Sequence, residues 1–376
     1  MQRWVMDLKW AGGCVLAAVL ALQGCGTTPV AGPAAAAPSG PYLYPPSPAV
    51  PRVQHLLTLS SEKDLAPARG GFATFVAGKD TKGPALMQPY GAALHEGRLL
   101  VADTGAPGLA TFDLERRTMT VTPGAGAGRM KRPINITVDR DGTRYITDTG
   151  VDQVLVYDRD NRFLRAYGSA GQFRPTDVAI VGERLYVVDI LHHEVHVLDK
   201  RSGAPVFKFG KAGSGVGELF HPTNIAVGPD GDVYVTETGN FRVQRFKHDG
   251  THVRFYGEAG NTPGSFARPK GLAVDRTGRV YVGDAAFQNV QIFENNGRLL
   301  MDFGQPMPGL DGLNLPASVR LDYDHVAQFS RYADPQFKVE FLILVVSQFG
   351  PNKVDVYGFG RMAGVNYDSP AAGGKP

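Results

Sequence analysis

The sequence predicts an all-β protein assembled from repeated four-stranded antiparallel blades, and three observations predict it. First, VYVTETGNFRVQRF (233–246) places two apolar, β-branched runs around Thr238-Gly239-Asn240, where Gly and Asn tolerate positive φ, so it reads as a tight hairpin. Second, the hairpin recurs as LLVADTGAPGLATF (99–112), RYITDTGVDQVLVY (144–157), LYVVDILHHEVHVL (185–198) and VYVGDAAFQNVQIF (280–293). Third, long helical periodicity is missing after the N-terminus, and a further short strand closing on Gly follows most hairpins: RAYG (165–168), FKFG (207–210), RFYG (254–257) and MDFG (301–304).

In chain order, the first 25 residues stand apart. Arg3 and Lys9 form a basic start, and Ala11 to Leu22 is an apolar stretch too short to span a bilayer comfortably. It ends in Leu22-Gln23-Gly24-Cys25, which resembles the bacterial lipobox. That resemblance implies cleavage before Cys25 and a diacylglycerol thioether on its sulfur. Gly26 after the Cys implies, by lipoprotein sorting rules, the outer membrane of a Gram-negative envelope. The only other cysteine, Cys14, would leave with the signal peptide, so no intrachain disulfide is expected. Residues 26–50 are uncharged and rich in Pro, Ala and Ser, and read as a semi-stiff tether of ~3.1 Å per residue if extended. Residues 51–363 form the folded body, and 364–376 read as a disordered tail.

Within the body, Pro89, Pro133, Pro175, Pro222 and Pro269 precede the hairpins at spacings of 44, 42, 47 and 47, and Pro316 follows 47 later. Each of the first five lies 14 or 15 residues before an acid: Asp103, Asp148, Asp189, Glu237 or Asp284. Four strands in ~45 residues are the mark of a propeller blade. PTNIAVGPDGDVYVTETGNFRVQRF (222–246) and PKGLAVDRTGRVYVGDAAFQNVQIF (269–293) resemble the NHL repeat. The second lacks Thr-Gly-Asn and carries Asn289 where the repeat has Arg. The resemblance runs from about Leu86 to Gly360 in six units and implies a six-bladed β-propeller. The sixth unit departs: an insertion at about 322–341 separates PASVRLDYD from FLILVVSQFGPNKVDVYG, and the position of the hairpin acid falls near Ser347 or Gln348. No closing strand follows, so RVQHLLTLS (52–60) or FATFVAG (72–78) is expected to close the ring from the N-terminus.

Charge excludes little beyond nucleic acid. With 39 Lys+Arg against 36 Asp+Glu there is no strong electrostatic case for it, and Arg242, Arg245, Arg268 and Lys270 read as a solvated face. The acid column reads as structural, since a residue needed by every blade answers a need of every blade. His192, His193 and His196 occupy the repeat positions of Asn240, Phe241 and Gln244, and read as hairpin substitutions with no metal centre expected. GKAGSGVGE (210–218) lacks the Gly-Lys-Ser/Thr ending of a phosphate loop, and neither GxSxG, HExxH nor CxxCH occurs.

The channel mouth is the better place for a site. The second residue after each proline begins the innermost strand: Gly91, Asn135, Asp177, Asn224, Gly271 and Ser318. Asn135, Asp177, Asn224 and Ser318 are the ligand candidates. Asp177 is the one carboxylate and the weak metal candidate; three zinc ligands are lacking, no cofactor is expected, and oxygen-only Ca²⁺ binding stays open. The insertion supplies aromatic residues and Arg of the kind enriched at interfaces: Tyr323, Phe329, Arg331, Tyr332 and Phe337 are the partner-binding candidates. The expected function is a non-catalytic scaffold that binds another envelope protein. Resembling lipoproteins accompany multihaem c-type cytochromes, which implies docking in an electron-transfer complex. The alternatives are a metal-dependent lyase or lactonase/esterase using Asp177, Asn135 and Asn224, and a sensor of cell-wall material or glycan.

Overall fold

Six antiparallel sheets follow one another along the chain in a computed structural model that describes residues 40–65 and 83–367. Blades one to five are four-stranded, with inner strands Pro89–His95, Pro133–Val138, Pro175–Val181, Pro222–Val227 and Pro269–Val274. The six sheets form a six-bladed β-propeller. The core is split among the blade interfaces, as burial of both faces of each blade requires. Tyr186 and Val188 of blade three meet Ile225 and Val235 of blade four. Tyr234 and Val243 of blade four meet Leu272 and Val282 of blade five, and four comparable clusters fill the remaining interfaces.

The acid column works as the sequence suggests. Asp103 accepts backbone N–H bonds from Met87, Gln88, Gly105 and Ala106. Asp284 does the same for Ala267, Arg268, Ala286 and Phe287. Each carboxylate ties the segment before its proline to its own hairpin turn. One detail of the hairpin differs from expectation. The left-handed residue is Phe241 (φ 55°), as are Asp152, His193 and Gln288 in blades two, three and five. Gly239 serves close approach instead, because a Cβ there would lie 2.9 Å from the Phe220 carbonyl oxygen.

Blade six closes the ring. Its inner strand Pro316–Asp322 pairs with Phe337–Ser347, and this with Val354–Met362. Val53–Leu59 then supplies the fourth strand, in register Val53↔Phe359 to Leu59↔Val354. FATFVAG lies outside the described residues. A fifth strand, Leu43–Tyr44, pairs with Val53 and Gln54. It comes from the stretch read as tether, so the folded body reaches back before residue 51. Tyr44 is buried against Phe303 and Tyr357, which its Pro-rich surroundings conceal in the sequence. At the other end Tyr367 donates to the Pro51 carbonyl, so the segment read as tail starts with a docked side chain. The lipobox, Cys25 and residues 26–39 lie outside the described residues.

The insertion is mostly loop and short helix, with strand only at its ends. Residues 323–336 carry a short helix, Val326–Phe329, and a 3-10 turn, Ser330–Tyr332. The strand then starts at Phe337, and its first residues pair with the end of Val354–Met362.

Candidate binding cavity on the propeller axis

Every inner strand carries a bulge just after its proline, for example between Pro175 and Asp177 and between Pro316 and Ser318. A bulge re-aims the side chains that follow it. It turns Asn135, Asp177, Asn224 and Ser318 into one fully buried ring about the axis. Gly91 and Gly271 complete the ring because nothing larger fits. A Cβ on Gly91 would lie 2.8 Å from Asn135 Cα, and one on Gly271 2.8 Å from the Ser318 carbonyl carbon.

Asp177 is held on several sides. Arg320 donates from Nη2 to Oδ1 at 2.7 Å, and the backbone N–H groups of Val178 and Ile225 donate at 2.9 and 3.1 Å. Burial pushes its carboxyl pKa above the ordinary value, and the Arg320 charge and those backbone bonds pull it partly back. Among the described residues Asn135 Nδ2, Asn224 Oδ1 and Ser318 Oγ have no protein partner. On the proline side of the ring, Tyr90, Ile134 and Ala317 form an apolar plug. There Lys270 lies 5.2 Å from the Tyr90 ring centroid and 3.3 Å from Gln348 Oε1. Burial, with a smaller push from Arg268, lowers its pKa to about 8.

On the far side of the ring the axis opens into a cavity of about 770 Å³. Its wall is made by the next axial position of the inner strands, occupied by Thr137, Ala179, Ala226 and Ala273, and its floor by Arg320. Small side chains here create the space. Among the described residues Arg320 donates only from Nη2, to Asp177 and, at 3.5 Å, to Asn135, and Nε and Nη1 have no protein partner. The rim is mixed in charge: Asp139, Arg140, Asp141, Glu183 and Lys200, with Lys200 Nζ 2.8 Å from Asp139. Tyr323, near the start of the insertion, also lines the cavity. Its ring lies tilted against Phe341, centroids 4.9 Å apart, and its hydroxyl accepts from the Arg276 N–H.

The other insertion residues part company. Phe329 and Phe337 are buried, and Phe329 packs into the core between blades six and one. Arg331 and Tyr332 lie at the surface, stacked on each other with the guanidinium 4.9 Å from the ring centroid. Arg242 and Arg245 of the basic group are ion-paired within blade four, to Glu237 and to Asp230 and Asp232.

Two features escaped the reading of the sequence. Arg320 was one: the fourth residue after each proline reads Ala93, Thr137, Ala179, Ala226, Ala273 and Arg320, and a lone Arg in a column of small residues was the available signal. The other is the company of the blade-three histidines. His192 and His196 converge on Asp189, with Glu194 beside them. His193 turns away and stacks on Phe220 and His221.

Comparison with known proteins agrees with this architecture. Residues 221–246 match the family model of the NHL repeat. That repeat is the first three strands of blade four. Among solved structures, a gluconolactonase from Xanthomonas campestris is similar at 17% identity, covering 87% of this chain and 97% of that one, with a TM-score of 0.55. A structural-genomics protein of unknown function from Bacteroides thetaiotaomicron is similar at 16% identity over 82% of this chain and 75% of its own, with a TM-score of 0.57. A streptogramin B lyase is similar at 13% identity over 72% and 83%, with a TM-score of 0.50. At these identities the likeness concerns the fold alone.

Proposed function

We propose that this chain is a lipid-anchored envelope protein whose propeller binds another protein through the open axial mouth and performs no chemistry there. One observation carries the reading: the Arg320 guanidinium pairs with Asp177 through Nη2, and among the described residues its Nε and Nη1 are without protein partners at the floor of an open cavity. A guanidinium in such a place suits a carboxylate, which can accept a charge-assisted bond from Nε or from Nη1. The matching partner presents an acidic side chain or chain end to the mouth. The insertion belongs to the same face, since it links the first two strands of its blade just as residues 139–143 and 182–183 do in blades two and three. Tyr323 joins it to the cavity wall, and Arg331 and Tyr332 extend the surface outward. A multihaem c-type cytochrome is the partner that the resemblance of the sequence points to.

The rival is a metal-dependent lactonase or lyase on the same axis, as the fold of the gluconolactonase invites. Arg320 weighs against it. A guanidinium 2.7 Å from the one axial carboxylate repels a second cation there. Affinity capture from detergent-solubilised membranes, with the mature chain beside an Arg140→Glu variant, tests the proposal. Arg140 is exposed on the rim, so the variant keeps the fold and adds a charge that repels an acidic partner. The reading predicts a partner recovered by the parent chain and depleted at least several-fold by the variant. Equal recovery by both, or none, contradicts it.

A further inference from the structure

Blade three departs from the repeat at one spot, and the departure has a chemical sense. At the acid and at the third, fifth and seventh residues after it, blade four carries Glu237, Asn240, Arg242 and Gln244. There the Glu237 carboxylate accepts bonds from Asn240 Nδ2, Arg242 Nε at 2.7 Å and Gln244 Nε2 at 2.6 Å. Blade five carries Asp284, Phe287, Asn289 and Gln291, and blade two Asp148, Val151, Gln153 and Leu155. Blade three carries Asp189, His192, Glu194 and His196. Two amides have become imidazoles, and the cation that faces the acid in blade four has become a second carboxylate.

The four side chains meet. His192 Nδ1 is 2.6 Å from Asp189 Oδ2; His196 Nε2 is 3.2 Å from the same oxygen and 3.1 Å from Glu194 Oε1. One ligand atom from each lies within 4.8 Å of all the others. Direct hydrogen bonding leaves this arrangement incomplete. His196 Nε2 carries at most one proton, and it faces two carboxylate oxygens at nearly equal distance. Lys208 Nζ, 3.0 Å from Glu194 and largely exposed, is the cation that reaches Glu194.

A second, independent sign is the orientation of Asp189. In blades one, two and five both carboxylate oxygens serve the backbone, with Oδ2 accepting Met87 N–H, Lys131 N–H and Ala267 N–H; in blade four Glu237 Oε2 accepts Phe220 N–H while Oε1 faces the Arg242 and Gln244 side chains, which donate to it. The corresponding residue in blade three is Phe173, and its N–H makes no bond to Asp189. Oδ1 alone accepts the backbone donors there, Arg174, Leu191 and His192. Oδ2 is thereby released toward the imidazoles.

We propose that Asp189, His192, Glu194 and His196 form a binding site for a first-row divalent transition metal, of the chemical class of Zn²⁺. Two imidazole nitrogens with two carboxylate oxygens suit such an ion and suit Ca²⁺ poorly, since Ca²⁺ prefers oxygen alone. Bonds of about 2.0–2.1 Å place tetrahedral ligand atoms about 3.3–3.4 Å apart. The contacts of 2.6, 3.1 and 3.2 Å open to reach that, and the wider pairs, which extend to 4.8 Å, close on the ion by side-chain rotation. A divalent ion balances the two carboxylates, and the half-exposed His192 gives it access from solvent. With four protein ligands no position remains for substrate, so the site is a clamp on the hairpin. It is separate from the axial cavity, and it stands or falls without the proposed partner.

The test uses the mature chain, dialysed against a weak chelator and then titrated with ZnCl₂ alone, with bound metal counted by elemental mass spectrometry and unfolding followed by circular dichroism. The repeat itself supplies the variants: His192→Asn with His196→Gln installs the blade-four residues, so the fold is kept. The site predicts one equivalent of Zn²⁺ in the parent chain, a higher unfolding midpoint with metal, and at least 100-fold weaker binding in the double variant. His193→Asn should leave binding unchanged, and Co²⁺ in the parent chain should give the intense visible absorption of a tetrahedral complex. Equal binding by the double variant, loss of binding on His193→Asn, or well under one equivalent at micromolar free Zn²⁺ overturns the proposal.

Discussion

Arg320 and Asp177 show how one residue departing from a repeat sets the character of the axis. Asp177 is fully buried, and Arg320 is its only cationic partner among the described residues. Removing one member of a buried pair strands the other, so Arg320→Leu is expected to cost about 3–5 kcal/mol in chemical denaturation. The double variant Arg320→Leu/Asp177→Asn should recover most of that loss. A single variant as stable as the parent chain would show that the pair does not hold the axis. Lys270 offers a second residue-level test. Its pKa of about 8 lies below the ordinary 10.5, because burial disfavours the charged form. Between those values the unfolded chain binds more protons than the folded one, so this group makes stability rise with pH from about 8 to 10.5. Below pH 8 it costs the fold about 1–2 kcal/mol after allowance for solvent. Lys270→Met should be more stable at pH 7 by that amount and should lose the rise; unfolding curves at pH 7, 9 and 10 check both. Both residues lie in the sequence in plain view. Asn135, Asp177, Asn224 and Ser318 were legible as an axial ring because the proline marks a repeat position. Arg320 lies one axial position beyond that ring, where the other inner strands carry Ala or Thr, so the proline spacing alone does not mark it.

Hairpins and strands were the most legible level of the chain. Their apolar alternation, the proline and the acid recur often enough that each copy corroborates the others, down to the bonds the acids accept. Ring closure by Val53–Leu59 follows from the missing fourth strand of blade six. The strand Leu43–Tyr44 was not legible, since two residues among prolines carry no periodicity. The His192–His196 cluster was hidden for another reason: alignment placed each histidine singly and assigned Asp189 to the acid column, so their convergence in space went unseen. Two predictions belong to this level. Deleting residues up to 60 would expose the edge of Val354–Met362 and uncover Leu342, Leu344 and Val356 in the core between blades six and one. The product should be insoluble or lose its cooperative unfolding transition; a soluble truncation with the parent's unfolding midpoint would refute closure. Gly271→Val would press against the Ser318 backbone of the neighbouring blade. Overpacking of this kind costs about 1–3 kcal/mol, measurable as a lowered denaturation midpoint.

At the scale of the whole molecule, the propeller has two unlike faces. One holds the prolines, the acid-stapled turns and the apolar plug of the axis. The other holds the open cavity, its charged rim and the sixth-blade insertion. If Cys25 carries diacylglycerol, the stretch after it sets how far the disc stands from the bilayer, and each buried CH₂ adds about 0.8 kcal/mol to the anchor. A Cys25→Ser chain should then move from the membrane fraction to the soluble fraction on fractionation. The central claim is that the cavity face meets an envelope partner. Photo-crosslinking in intact cells tests it most directly, with the photoreactive residue placed at Arg140 or Glu183 on the rim and, as control, at Val216 on the proline face; all three are exposed. The account predicts one discrete adduct from both rim positions and none from Val216. Adducts from Val216 alone, or none from any position, would contradict it.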